Sequence, residues 1–325
     1  AGFIFMNILV FGKDGQLGKA FKDLLESLLA AVPNKPNIRY AGRSECDLSD
    51  ALALGNFLNQ FKPKLIINAS AYAAVDRVEA DEDLAFAINA KAPEIMAQYA
   101  ATHRATLLHF STDYVFDGEK YGYYLEDDVR NPLGVYGKSK AAGEEAIAGV
   151  FAAGYGSGQY AIFRTSWVYG DGGNFIRTIL RLAKDREELK IIDDQYGVPT
   201  SATWLAQVSL DFVVDGNLRV RKFPSGIYHA VPVGETTWHG LAALVVQLAS
   251  EAGVPLKVAP DGIKPIPAVE YHLPVPRPMN SRMSTDKLGQ VLRARGDMPK
   301  LELLNQPWDE AVRSYVRNLA KDGLI

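Results

Sequence analysis

Cysteine is almost missing from this chain. Cys46 stands alone among 325 residues, so there is no partner for an internal disulfide and no thiolate cluster for a metal, and a reducing compartment is expected. Histidine is also sparse: five residues, scattered, none in the His-x-x-x-His spacing of a zinc helix, and no Gly-x-Ser-x-Gly elbow occurs. Metal-assisted and serine hydrolysis are therefore disfavoured, and no metal ligands are assigned. Excess positive charge is absent too, since 35 basic residues face 38 acidic ones for a net charge of -3. That leaves nothing to neutralise a phosphate backbone, and nucleic acid is not an expected partner. No apolar run approaches the roughly 18 residues of a membrane span, so no membrane association is expected. The Ala1 to Phe5 stretch before Met6 is too short for a signal peptide and reads as an expression remnant; the expected location is cytoplasmic. Internal repeats and low-complexity tracts are lacking as well.

What is present is enough apolar material, 48% of residues, for one large or two modest domains. Asn7 to Phe11 is a short β-rich run leading directly into Gly12-Lys13-Asp14-Gly15-Gln16-Leu17-Gly18, after which Ala20, Phe21, Leu24, Leu25 and Leu28 recur at helical spacing. Glycines let such a turn approach a pyrophosphate closely, and the amides and dipole of the helix start favour its charge. Further strands are predicted at 38–41, 65–68, 106–112, 160–164, 189–192 and 227–230. Helices are expected after Asp50 to about Phe61, over 85–101, from Tyr136, over 175–185, from Thr203, and over 238–252. The alternation implies an α/β fold: a Rossmann-type doubly wound parallel sheet whose ligand lies at the carboxyl ends of the strands. Gly154 to Gly158 reads as a loop. Beyond Val254 the chain turns proline-rich, with nine of its seventeen prolines between Pro255 and Pro307. The expected division is a dinucleotide-binding domain over 6–168 with a return segment near 196–232, and a smaller C-terminal α/β substrate domain from 169–195 and 233–325.

The candidate catalytic centre lies between Ser111 and Lys140. The run Thr106-Leu107-Leu108-His109-Phe110 reads as a buried strand that delivers Ser111, Thr112 and Asp113 to the sheet edge. Tyr136 and Lys140 are four apart, which on a helix puts phenol and ammonium on one face. A phenol titrates near ~10 and must move by roughly three units, about 4 kcal/mol, to titrate near neutrality. A neighbouring cation shifts it in that direction. The end of the second strand, Gly42-Arg43-Ser44, carries no carboxylate to accept a ribose 2′-hydroxyl. It offers instead a guanidinium and a hydroxyl suited to a 2′-phosphate, so NADPH is expected to be preferred, with NADH possible.

The strand-end Ser/Thr with Tyr-x-x-x-Lys and the Gly-x-x-Gly-x-x-Gly turn resembles the extended short-chain dehydrogenase/reductase superfamily. Four further motifs narrow this: Phe163 to Tyr169, Asp194 to Thr200, Gly226 to His229, and Arg277 to Arg282 together resemble the dTDP-4-dehydrorhamnose reductase family across nearly the whole chain from Met6. The resemblance implies reduction of the 4-keto group of a nucleotide sugar with NAD(P)H. It further implies Tyr136 as proton donor, Lys140 as its tuner and a nicotinamide-ribose ligand, and Thr112 as the residue that bonds the substrate near its reacting oxygen. It places Gly15, Gln16 and Leu17 over the pyrophosphate, Asp47 and Leu48 beside the adenine, and Ala71, Tyr72 and Ala73 along the cofactor; Gly12 and Gly18 of the same turn and Arg43 and Ser44 at the end of the second strand complete the expected cofactor-binding set. Val75, Asp113, Phe116 and Trp167 are implied as substrate contacts. Ala20 stands where metal-dependent dimeric members carry a glutamate, which makes Mg2+ doubtful and favours a monomer or weak homodimer. Ala73 and Gly134 replace a commoner threonine and asparagine. Two alternatives stay open: another nucleotide-sugar reductase or epimerase, and a non-catalytic dinucleotide-binding subunit resembling the regulatory subunit of methionine adenosyltransferase.

Overall fold

The computed structural model describes residues 6–154 and 157–325; the Ala1 to Phe5 stretch and the centre of the loop expected at 154–158 lie outside the described residues. Six strands form one parallel sheet: β1 (Asn7–Phe11), β2 (Asn37–Ala41), β3 (Leu65–Asn68), β4 (Thr106–Thr112), β5 (Gln159–Thr165) and β6 (Gly226–His229), in the order β6-β5-β4-β3-β1-β2. Every residue of β3 and β4 is buried, which is what a parallel strand covered on both faces requires. One face packs on helices Gln16–Leu29 and Ala202–Val213 through Phe21, Leu25, Leu205 and Phe212; the other packs on Ala51–Phe61, Ala92–Thr102 and Val135–Ala152 through Leu54, Leu58, Met96 and Ile147. From β2 the chain crosses to the far side of β1 to form β3. The order therefore reverses at the β1/β3 boundary, and the crevice for a ligand opens there at the carboxyl ends.

A second core joins Tyr169, Ile176, Ile179 and Leu180 to Leu241, Val245, Val312 and Val316. Residues 286–304 do not go with it. Helices Asp286–Ala294 and Met298–Leu304 place Leu288, Leu292 and Leu304 in the first core, where Trp204 Nε1 also donates to Leu303 O at 2.8 Å. The C-terminal region is thus split between the two cores, because the outer face of Ala202–Val213 needs a cover.

The helix expected over 85–101 differs in a specific way. It is three pieces, Glu82–Phe86, a π turn at Ala87–Lys91, and Ala92–Thr102, preceded by an unforeseen helix at Val75–Ala80. Pro93 has no N–H to return to the carbonyl of Asn89, so the ladder widens there. The Asn89 side chain turns inward, accepting from Tyr72 N at 2.9 Å and donating to Tyr72 O and Ser139 Oγ at 3.0 Å each.

Candidate active site

The glycine turn is shaped by contact as well as by conformation. Gly12 has φ +84°, and a Cβ there would lie 2.7 Å from the backbone of Ala69 at the end of β3; a Cβ on Gly18 would lie 1.7 Å from Gly12 O. Gly15 caps the following helix without a side-chain bond, so the first-turn amides are unclaimed by any cap and face the crevice end of the sheet. Beside them a cleft of about 150 Å3 is lined by Gly12, Arg43, Asp47, Leu48 and Ala71, with Phe11 and Ile88 as apolar walls. A dinucleotide's phosphate and adenosine suit this combination of bare amides and apolar slot.

Three expected cofactor residues sit differently. The Ser44 hydroxyl is turned to Glu45 Oε2 at 3.0 Å, an oxygen that also accepts Gly42 N at 2.9 Å. The bond from Lys13, whose ammonium stands 2.7 Å from Glu45 Oε1, is the main reason this carboxyl is held down to about 2. Gln16 directs its side chain away from the cleft, accepting from Gly170 N and Asn174 Nδ2 at 2.8 and 3.0 Å. Leu17 packs against the first core. Of the remaining strip, Tyr72 packs in the small cluster that includes Tyr136, while Ala71 and Ala73 are exposed.

Tyr136 and Lys140 occupy successive turns of the helix Val135–Ala152, beneath the end of β4. The Lys140 ammonium is buried and donates to Phe110 O at 2.6 Å. Burial pulls its pKa down to about 8, with Glu144 opposing. The phenol of Tyr136 is pushed up to about 12 by burial, with the Thr112 hydroxyl opposing and the Asp113 carboxylate adding. The sequence-based expectation that Lys140 brings the phenol toward neutrality is therefore not met by the chain's own groups. The ammonium is spent on a backbone carbonyl, and desolvation dominates. Thr112 Oγ1 donates to Asp113 Oδ1 at 3.1 Å and accepts from Tyr114 N at 3.2 Å. Asp113 is buried, its pKa pushed up to about 6 by desolvation against bonds from Ser281 and Thr112, and its Oδ2 has no partner among the described residues.

On the substrate side, Val75 lines a crevice with Tyr114 and Tyr136. Trp167 closes β5 with φ +48°, a left-handed conformation that costs a bulky residue on the order of 1 kcal/mol. It is held by a stack on Trp238, ring centroids 3.7 Å apart, and by Thr200 N donating to its carbonyl at 3.1 Å. Next to this pair a cavity of about 240 Å3 is lined by Tyr114, Phe175, Gln195, Trp238, Tyr271 and Arg277. Phe116 does not reach it: the ring is 1% exposed and stacks on Tyr124 at 4.1 Å under the Arg164 guanidinium. Val115 and Phe116 are both buried in one cluster, and nothing in a Val-Phe pair after a strand end announces that neither faces the ligand.

Several groups were not foreseen. Glu144, one turn past Lys140, is fully buried and bonded by Arg164 Nη2 at 2.6 Å, Arg130 Nε at 2.8 Å and Ser111 Oγ at 2.5 Å. Burial alone would raise its pKa, but these bonds outweigh it and hold the carboxyl below the ordinary range. Glu79 accepts the first N–H of the Tyr136 helix, Val135 N, at 2.9 Å. Arg277 pairs with Asp76 at 3.3 Å. The i, i+4, i+8 spacing of Tyr136, Lys140 and Glu144 was the one available signal; the others join segments far apart in sequence.

Residues 6–320 match the family model described as RmlD substrate binding domain. The dTDP-4-dehydrorhamnose reductase of Escherichia coli K12 is 41% identical over 288 residues, 88% of this chain and 91% of that protein. The crystal structure of a dTDP-4-dehydrorhamnose reductase from Clostridium acetobutylicum superposes with a TM-score of 0.80 at 32% identity, covering 97% of this chain and 99% of the other. One from Bacillus anthracis, in complex with NADP, gives 0.77 at 28% identity, covering 94% and 97%.

Proposed function

The chain belongs to the RmlD family of dTDP-4-dehydrorhamnose reductases, and from that premise we propose that it reduces the 4-keto group of dTDP-4-dehydro-L-rhamnose to dTDP-L-rhamnose, taking a hydride from a nicotinamide dinucleotide and a proton from Tyr136. The observation that carries the reading is the meeting of Thr112, Tyr136 and Lys140 at the carboxyl end of β4, beside a glycine turn whose free amides suit a pyrophosphate. A non-catalytic dinucleotide-binding subunit has no need of that trio.

When bound, the dinucleotide supplies the hydride for the keto carbon. The chain's own part is the proton. With its pKa raised, the Tyr136 phenol stays protonated throughout the physiological range. An alkoxide is a stronger base than a phenolate, so the transfer runs downhill as negative charge gathers on the carbonyl oxygen. Thr112, whose hydroxyl stands at the end of β4 bonded to Asp113, holds that oxygen in place, and Lys140 fixes the helix against β4 while offering its charge to the ribose. The second core, with Trp167, Trp238 and Arg277, receives the nucleotide sugar: aromatic faces for its C–H patches and a cation for its diphosphate.

NADPH is preferred over NADH, through the exposed guanidinium of Arg43 at the mouth of the adenine cleft. The chain works without a bridging Mg2+, because Ala20 is packed in the first core and supplies no carboxylate. The experiment is a fall in 340 nm absorbance with the keto sugar nucleotide generated in situ. A purified chain that binds NADPH yet oxidises none of it under those conditions would overturn the reading.

A further inference from the structure

Gln16 stands where two halves of the site meet. Its backbone opens the helix whose free amides face the phosphate position, while its side chain points the other way, into the loop that follows Trp167. There the carboxamide oxygen takes two hydrogen bonds, from Gly170 N at 2.8 Å and Asn174 Nδ2 at 3.0 Å. The fit is close. A Cβ on Gly172 would lie 3.1 Å from Gln16 Cγ, and one on Gly170 would lie 3.4 Å from Gln16 Cβ.

Asn174 carries the connection onward. Its Oδ1 caps the helix Phe175–Asp185 by accepting from Arg177 N at 3.1 Å, and its Nδ2 also reaches Tyr315 OH at 3.0 Å. Tyr315, from the C-terminal helix, donates to Gly170 O at 2.6 Å and accepts from Arg177 Nε at 3.0 Å. The residue after Asn174 is Phe175, which packs on Trp238 with centroids 4.7 Å apart and lines the 240 Å3 cavity. Gln16, Asn174 and Phe175 therefore form a continuous path of direct contacts from the pyrophosphate turn to the wall that faces the sugar nucleotide.

We infer that Gln16 is a positioning residue that couples the two ligand sites: a phosphate seated on the turn fixes its side chain, which fixes Asn174 and the Phe175–Trp238 wall, so that dinucleotide and nucleotide sugar bind cooperatively. This rests on the functional reading above. Coupling of this kind is reciprocal, each ligand tightening the other by the same factor, commonly about 5- to 150-fold.

The test is a binding cycle by titration calorimetry on the full chain, using NADPH and dTDP as probes: Kd of dTDP with and without saturating NADPH. Wild type is expected to gain on the order of tenfold in dTDP affinity when NADPH is present. Gln16→Ala should bring that factor below about twofold, and Tyr315→Phe, which touches neither ligand, should lower it by about threefold while leaving the Kd of NADPH alone unchanged. A bolt with a purely structural role would lower Tm and leave the coupling factor where it was. Wild type without coupling overturns the inference, and so do variants that both keep the wild-type factor. If Gln16→Ala does not fold, Tyr315→Phe decides on its own. Failure of wild type to bind either probe would instead strike the functional reading itself.

Discussion

At the level of single residues, the chemistry divides between two groups with displaced pKa values. Tyr136→Phe removes the proton that the carbonyl oxygen needs only as the transition state forms. A kcat loss of roughly 10²- to 10⁴-fold is expected, with NADPH affinity within about twofold of wild type; a kcat within threefold would remove Tyr136 from the role. The pH dependence follows from the displaced values. Lys140 sheds its proton as pH rises through about 8, whereas Tyr136 keeps its own to about 12. Rising pH therefore depletes the charged lysine first, and the descending limb of kcat/KM should lie near 8 and belong to Lys140. A profile still flat one to two units above that value would contradict it. Arg43 is the third case. A partly exposed charged contact of about 1.4 kcal/mol corresponds to a tenfold preference in kcat/KM for NADPH over NADH. Arg43→Ala should erase that preference, and equal values for both cofactors in wild type would show that Arg43 does not read the phosphate.

The catalytic helix Val135–Ala152 is the element on which the site depends, and its seat leaves almost no freedom. A Cβ on Gly137 would lie 2.1 Å from Tyr114 O, and one on Gly143 would lie 2.2 Å from Asn89 O. Gly137→Ala must therefore push the helix away from Tyr114. The expected result is a fall in Tm together with a loss of kcat of at least tenfold, even though no reacting group changes; unchanged kcat at full occupancy of folded protein would mean the helix can shift freely. Glu79 reaches the start of this helix from outside it, and its carboxylate suits the positive end of the dipole. The split helix 82–102 serves the same seat, since the π turn aims Asn89 at both Tyr72 and Ser139.

At the scale of the whole molecule, the parallel sheet and its crevice were legible because buried strands, glycine turns and helical spacing are local signals. The same holds for Thr112, Tyr136 and Lys140, whose relation is one strand end and one helical turn. Local spacing carries no information on which side of a chain a Phe116 ring falls, nor on the bonds that join Gln16 to Gly170 or Arg277 to Asp76 across more than 150 residues. The prolines after Val254 likewise hid three helices, two of which return to the first core. With Ala20 in the core, EDTA should leave both activity and mass unchanged, and joint loss of the two would show that a metal-bridged dimer forms by other residues. The Trp167–Trp238 stack joins the end of the first sheet to a helix of the second core, with rings 3.7 Å apart and 18° from parallel. Two indoles so close couple electronically, with a circular-dichroism sign and size set by the angle between their in-plane transition moments, and should contribute dimmed emission among the chain's four tryptophans. A change in the spacing of the two rings would alter that emission, which makes the pair an optical reporter of the contact between the two cores that needs no label.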